Sequence, residues 1–190
     1  MSSVYRFFIP LMWLAWALYW SALSFNVKVA AKRESLLSRF LHLGPLALVV
    51  LLLLFPTIPL AILGERFLPA AVWPFWLGSI LTAAGLLFTV WARRHLGKNW
   101  SAIVTIKEGH EFIASGPYAY VRHPIYTGLL AAFAGSAIAL GEWRGVLAVA
   151  IGAWAFWRKL RLEETWMRQH FGEAYQAYCR RVAALVPFVL

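Results

Sequence analysis

Leu46-Ala47-Leu48-Val49-Val50-Leu51-Leu52-Leu53-Leu54-Phe55 is wholly apolar and sits inside a longer apolar stretch at residues 41–63. Crossing the hydrocarbon core of a bilayer takes about 20 such residues in helical conformation. Pro56 and Pro59 near the end of the stretch predict a kink. Four more apolar stretches accompany it. Residues 7–23 carry Trp13, Trp16 and Trp20 and lack a cleavage pattern of small residues after a short apolar region, so they read as a retained helix rather than a signal peptide. Residues 71–91 hold Trp73, Trp76 and Trp91 at their ends, as the aromatic belts of a bilayer would have them. Residues 124–140 are rich in Gly and Ala, which favours close helix packing. Residues 146–157 form a fifth span, short unless residues 158–161 snorkel or face protein.

Composition agrees with a membrane solvent. The chain of 190 residues is 62% hydrophobic and 14% charged, against about 45–50% and about 25% for soluble domains. A globule of this size buries only about 70% of its unfolded surface, so the apolar excess would aggregate in water. Cys179 is the single cysteine, which excludes an internal disulfide and a Cys-based zinc site. The acidic residues are all Glu, and His95, His110 and His123 lie at spacings that fit no metal-binding helix motif, so no metal is expected.

Lys and Arg collect in cytoplasmic loops. In chain order the 18 basic residues fall as one, four, one, five, one and six before, between and after the five spans. This alternation predicts an N-terminus outside and a cytoplasmic C-terminus, and spans too apolar for an outer-membrane barrel make the inner membrane the expected location. The net charge of +10 then reflects topology and attraction to anionic headgroups, and no nucleic-acid-binding module is present. The sequence contains no internal repeat and no linker. It reads as one all-α domain over residues 1–190, with a membrane scaffold at 1–95 and the chemistry-bearing part at 96–190.

Two cytoplasmic segments concentrate the polar residues. One runs from Gly97-Lys98-Asn99-Trp100 to Ser115-Gly116-Pro117-Tyr118-Ala119-Tyr120-Val121-Arg122-His123-Pro124-Ile125-Tyr126-Thr127-Gly128. The other carries Arg158-Lys159-Leu160-Arg161-Leu162-Glu163-Glu164, then Phe171-Gly172-Glu173-Ala174-Tyr175-Gln176-Ala177-Tyr178. Ionisable groups at a membrane edge are costly and are functional candidates by default. No glycine-rich dinucleotide fingerprint follows a strand, so any nucleotide-like cofactor must sit among loops and helix ends.

The ordered set Ser-Gly-x-Tyr-x-x-x-Arg-His-Pro-x-Tyr-x-Gly, Glu-Glu and Phe-Gly-x-x-Tyr-x-x-Tyr resembles the isoprenylcysteine carboxyl methyltransferase and phospholipid methyltransferase superfamily. The resemblance extends to Arg181-Val182 and Pro187-Phe188, about half of the chain. It implies a polytopic membrane enzyme that binds S-adenosyl-L-methionine in a cytoplasmic pocket and takes a lipid-like or small hydrophobic acceptor from the bilayer. Carried over position by position, it implies cofactor contacts from Thr105, His110, Glu111, Phe112, Ile113, Tyr118, His123, Pro124, Ile125, Tyr126 and Glu163. Arg122, Glu164 and Asn99 would form the reacting centre, and Arg158 would face the acceptor. Aromatic faces and a carboxylate suit a sulfonium cation, which gives Tyr118, Tyr126 and Glu163 intelligible parts.

Other readings stay open at this level. A carboxylate acceptor needs a cation to hold it and no base, whereas an amine must lose a proton, for which Glu164 is the candidate; a thiol acceptor is a third option. Glu163 and Glu164 also have the spacing to pair with Lys159 and Arg168 on a solvated helix face. His42 reads as an interface marker, and His95 and His170 as structural. A non-catalytic transport or assembly protein is the alternative of another class. Ala183-Ala184 stand where the family commonly has a proline after Arg-Val, so the closing loop is expected to differ.

Overall fold

A computed structural model describes residues 3–23, 30–33, 36–55, 61–97, 100, 105–107 and 113–187. Helices α1 (Ser3–Ala22), α2 (Leu36–Leu54), α3 (Val72–Leu96), α4 (Pro124–Leu140) and α5 (Trp143–Phe171) coincide with the five apolar stretches, and a short α6 (Glu173–Cys179) follows. The all-α class therefore holds, with one addition: β1 (Ala30–Arg33) and β2 (Thr105–Lys107) pair as an antiparallel ribbon. Boundaries differ from those expected. Helix α2 begins earlier and carries Pro45 inside it, while Pro56 and Pro59, and with them the expected kink, lie outside the described residues. Helix α5 extends well beyond the fifth apolar stretch, because Arg158, Lys159 and the residues after them continue the helix against protein. By length and composition α2 and α3 are long and apolar enough to cross a membrane; Phe7–Ala22 and α4 are shorter apolar helices.

The connections sort to two ends. The ribbon joins the segment between α1 and α2 to the segment between α3 and α4. At the other end Arg66 bridges to Glu142, Trp143 N–H donates to the Glu65 carbonyl at 3.1 Å, and Arg66 Nη1 donates to the Leu140 carbonyl at 3.0 Å. Arg66 thus takes up a terminal carbonyl of α4, and Gly141, at φ 68°, ends that helix in the left-handed conformation.

Helices α3 and α4 share the most extensive interface. Four glycines make it possible: a methyl group on Gly78 would lie 2.3 Å from the Gly135 carbonyl, and one on Gly85 would lie 2.5 Å from the Gly128 carbonyl. Polar side chains seal the seam, as Thr82 and Ser136 sit 3.3 Å apart and Trp13 Nε1 donates to Ser136 at 3.0 Å. Trp16 Nε1 likewise donates to Thr89 at 2.7 Å. Trp13 and Trp16 are therefore interior fasteners rather than belt residues, whereas Trp73, Trp76 and Trp91 are exposed.

A column of rings runs through the bundle. Trp13 stacks on Phe133 at 5.4 Å, Phe133 on Phe156 at 5.9 Å, Phe156 on Tyr126 at 4.8 Å, and Tyr126 on His123 at 5.5 Å. The column links α1, α4 and α5 and leads from the apolar core to a cluster of charged groups.

Candidate active site

The cluster forms where α4 begins and α5 leaves the apolar core. His123 is the N-cap residue of α4, and Pro124 occupies the first turn, where a missing N–H costs nothing. Tyr126 follows one turn on, and Glu163 and Glu164 come across from α5. Tyr126 O–H donates to Glu163 at 2.6 Å. His123 lies between the two carboxylates, with Nδ1 3.5 Å from Glu163 and Nε2 3.2 Å from Glu164. Glu164 also accepts from Arg122 Nε and Arg168 Nη2, each at 2.9 Å.

The electrostatics follow from this pairing. Burial alone would push the His123 imidazole down, but hydrogen bonds to Glu163 and Glu164 outweigh it and raise its pKa above the ordinary value. Burial would raise Glu164, yet donors on His123 and Arg122 hold it down at about 2. For Glu163 the same opposition ends in a lowered pKa, with His123, the nearby Lys159 charge and Tyr126 against burial. Tyr118, Tyr175 and Tyr178 are pushed up, chiefly by burial, so their hydroxyls stay protonated.

A second set of contacts closes the end of the cluster. Arg122 Nη1 donates to the Cys179 carbonyl at 3.1 Å and to the Val182 carbonyl. Backbone N–H groups of Arg122 and His123 donate to Ala183 and Ala184 carbonyls at 2.8 and 3.0 Å, and Thr127 Oγ1 donates to the Leu185 carbonyl at 2.6 Å. The Ala183-Ala184 departure thus falls in a strap laid along the start of α4. Tyr178 O–H donates to the Tyr118 carbonyl at 2.5 Å and ties α6 to the same turn. That turn depends on Gly116, at φ 58°, where a methyl group would meet the His95 ring at 2.7 Å.

The structure brings Arg122, His123, Tyr126, Glu163 and Glu164 together by direct contact. Tyr118 is buried beside them and packs against His95 at 6.4 Å. Pro124 is fully buried, Ile125 is half-buried in the first turn of α4, and Ile113 is half-buried ahead of the Gly116–Ala119 turn. Arg158 Nη2 donates to the Ser38 carbonyl of α2 at 2.6 Å. Thr105 lies in β2; Asn99, His110, Glu111 and Phe112 lie outside the described residues. Trp100 is packed beneath the Arg93 guanidinium at 4.2 Å. Sequence reading missed one partner. His42 is buried against Lys159, Nε2 to Nζ 3.3 Å, rather than marking the interface; its four-residue distance from Ser38 on α2 gave a helical register but no hint of the α5 contact.

A paired-carboxylate site at one end of an apolar helix bundle defines a class, and comparison with known proteins identifies it. The phospholipid methyltransferase family model matches residues 73–174, and the chain belongs to that family. Among curated relatives, protein-S-isoprenylcysteine O-methyltransferase B of Arabidopsis thaliana is 32% identical over 96 residues, 49% of this chain and 49% of that protein. The protein-S-isoprenylcysteine O-methyltransferase of Schizosaccharomyces pombe is 31% identical over 96 residues, 49% of this chain and 41% of that one. The chain spans about half the length of the relatives it matches. A solved structure of a eukaryotic intramembrane Ras methyltransferase, isoprenylcysteine carboxyl methyltransferase, aligns with TM-score 0.45 and 22% identity, covering 84% of this chain and 55% of that one.

Proposed function

We propose that this protein is an integral membrane methyltransferase that uses S-adenosyl-L-methionine to methylate the carboxylate of a membrane-embedded or hydrophobic acceptor, in the manner of isoprenylcysteine carboxyl O-methylation. The observation that carries this reading is the Glu163–Glu164 carboxylate pair held at the start of α4 by Tyr126, His123 and Arg122, in a chain of this family. A carboxylate offers a sulfonium an opposite charge at close range. When bound, S-adenosyl-L-methionine would supply an electrophilic methyl group to a lone pair of the acceptor.

The chain's own residues have the following parts. Tyr126, Glu163, His123 and Tyr118 hold the donor, with Pro124 and Ile125 shaping the start of α4. By the family resemblance Ile113, His110, Glu111, Phe112 and Thr105 would also contact the donor. Arg122, Glu164 and Asn99 frame the reacting centre, and Arg158 faces the acceptor. In-line positioning in a dry site supplies most of the acceleration for such a transfer. All five apolar helices cross the membrane in this reading, and residues 96–190 provide the site above a scaffold of residues 1–95, with both termini placed as the basic residues predict.

Glu164 also bears on the acceptor. Its carboxylate accepts from Arg122, His123 and Arg168 and is held at about pKa 2, so it is a poor proton acceptor at neutral pH. An amine needs such a base and a carboxylate does not. This favours the carboxylate over N-methylation of an ethanolamine headgroup.

The test is methyl transfer from radiolabelled donor in membranes containing the protein, beside Glu163→Gln and Arg122→Ala. Products are separated into base-labile, lipid-amine and volatile fractions. Label in the base-labile fraction, lost in both variants, is expected. Label confined to amines or volatile thioethers would replace the carboxylate reading, and absence of S-adenosylhomocysteine binding by purified protein would leave a non-catalytic membrane protein.

A further inference from the structure

Trp143, Val146, Ala150, Trp154 and Trp157 recur every three or four residues along α5 and are all exposed, so they form one continuous outward stripe. Arg161 and Thr165 extend the stripe by two more turns and are exposed as well. At about 1.5 Å per residue Trp143 and Arg161 stand about 27 Å apart, close to the hydrocarbon thickness of a bilayer, about 30 Å. With α5 crossing as proposed above, the stripe faces acyl chains and Arg161 emerges at the level of the headgroups.

The helix leaves the charge of Arg161 to an outside partner. Three or four residues away along α5 stand Trp157, Arg158, Glu164 and Thr165. Glu164 is the one acid among them, and it is buried and accepts from Arg122 and Arg168. Thr165 Oγ1 donates to the Arg161 carbonyl at 2.8 Å and is used within the helix. Among the described residues no carboxylate pairs with Arg161; its guanidinium lies over the Trp157 ring, 5.8 Å from the centre. A guanidinium that meets a ring through its face keeps its N–H donors for oxygen acceptors, and phosphate suits them well. Arg168 lies on the same stripe two turns further and is exposed, and the net charge of the chain is +10. A headgroup of net negative charge gains from this field, whereas the ammonium of a zwitterionic headgroup is set against it.

We infer that the outer face of α5 binds an anionic phospholipid, with its phosphate on Arg161 and its acyl chains along Trp157, Trp154 and Ala150; this rests on the reading of α5 as a membrane-crossing helix. Glu163 and Glu164 follow Arg161 within one turn, so the lipid holds at headgroup depth the part of α5 that bears the proposed site.

The experiment uses full-length protein in phosphatidylcholine vesicles, with an NBD fluorophore on Ala150→Cys in a Cys179→Ser background. Quenching is compared for phosphatidylglycerol and phosphatidylcholine, each carrying a nitroxide on an acyl chain. This labelled parent is expected to favour phosphatidylglycerol at least threefold at physiological salt. Arg161→Gln should bring the ratio below one and a half, and Trp157→Leu should lower it by a third or more. Arg180→Gln, the control on α6, should leave it unchanged. Equal quenching by the two lipids in the parent overturns the inference, whether or not any variant folds. So does a preference that survives Arg161→Gln or Trp157→Leu, or that falls as far in Arg180→Gln, since each of these is diffuse attraction to a basic protein. Quenching by neither lipid overturns the membrane-crossing reading of α5 itself and is thereby distinguished from failure of the lipid site alone.

Discussion

At Tyr126 and His123 the same atoms support structure and proposed chemistry, and substitutions separate the two. Tyr126→Phe keeps the ring stacked between Phe156 and His123 but deletes the 2.6 Å bond to Glu163. Loss of a hydrogen bond to a charged group costs about 1.5–3 kcal/mol of stability, which denaturation in detergent should record, and S-adenosylhomocysteine affinity should fall as Glu163 loses the group that positions it, as calorimetry would measure. Glu164→Gln acts on the other side. It removes the charge that Arg122, His123 and Arg168 share, and breaking a buried pair costs about 3–5 kcal/mol, which denaturation in detergent would record.

The pH dependence of the cluster has a definite sign. His123 has a raised pKa in the folded protein, so its stabilising share is complete below the unfolded imidazole value of about 6.5 and is lost as pH rises through the higher folded value. Glu164 is depressed to about 2 and Glu163 is lowered. Their share is complete above the ordinary carboxylate range near about 4.3 and is lost as pH falls toward 2 for Glu164. Between those limits the cluster is fully ionised and most stabilising. Thermal unfolding from pH 4 to 9 should show a decline on the alkaline side that is smaller in His123→Gln than in wild type; equal declines would contradict the assignment.

At the scale of elements, the α3–α4 contact sets the position of everything at the start of α4. A methyl group on Gly135 would lie 2.5 Å from the Thr82 amide nitrogen, whereas nothing lies within 4 Å of one on Gly44. Gly135→Ala should therefore destabilise by about 1–3 kcal/mol through overpacking, while Gly44→Ala, also within a helix, should be neutral or stabilising by about 0.5–1 kcal/mol. Comparing the two by denaturation distinguishes crowding from helix propensity. The Gly and Ala content of residues 124–140 made this contact legible in the sequence, because small residues have one evident use between helices. The extension of α5 was not legible. Apolar count ends at Trp157, and only the Ser38 carbonyl and His42 ring, distant in sequence, show why Arg158 and Lys159 continue the helix. The ribbon was hidden for a similar reason: its three-to-four-residue strands are too short for a period-two pattern to stand out. Among the candidate site residues, the resemblance pointed to Tyr126, His123 and the Glu pair, which the fold brings into contact, whereas the His42–Lys159 contact has no sequence spacing that would reveal it.

For the whole molecule, the ribbon and the Arg66–Glu142 bridge sort the connections into two groups, and the proposed orientation puts the ribbon's group in the cytoplasm. Single cysteines on a Cys179→Ser background give the check. In right-side-out vesicles an impermeant maleimide should label Trp143→Cys, and should reach Gln169→Cys only after permeabilisation. The reverse pattern would invert the proposed orientation and place the charged cluster on the outer face.

Arg122 has a consequence in the timing of biosynthesis. Its guanidinium closes on carbonyls 57 and 60 residues further along the chain, which leave the ribosome about 3–12 s later at ordinary elongation rates. During that interval the first turn of α4 has no strap, and Arg122 stays hydrated at the membrane surface. A chain arrested before Cys179 would carry its apolar bundle in place and its charged cluster still open, so nascent-chain proteolysis near Tyr120 should cease only once the strap has been made.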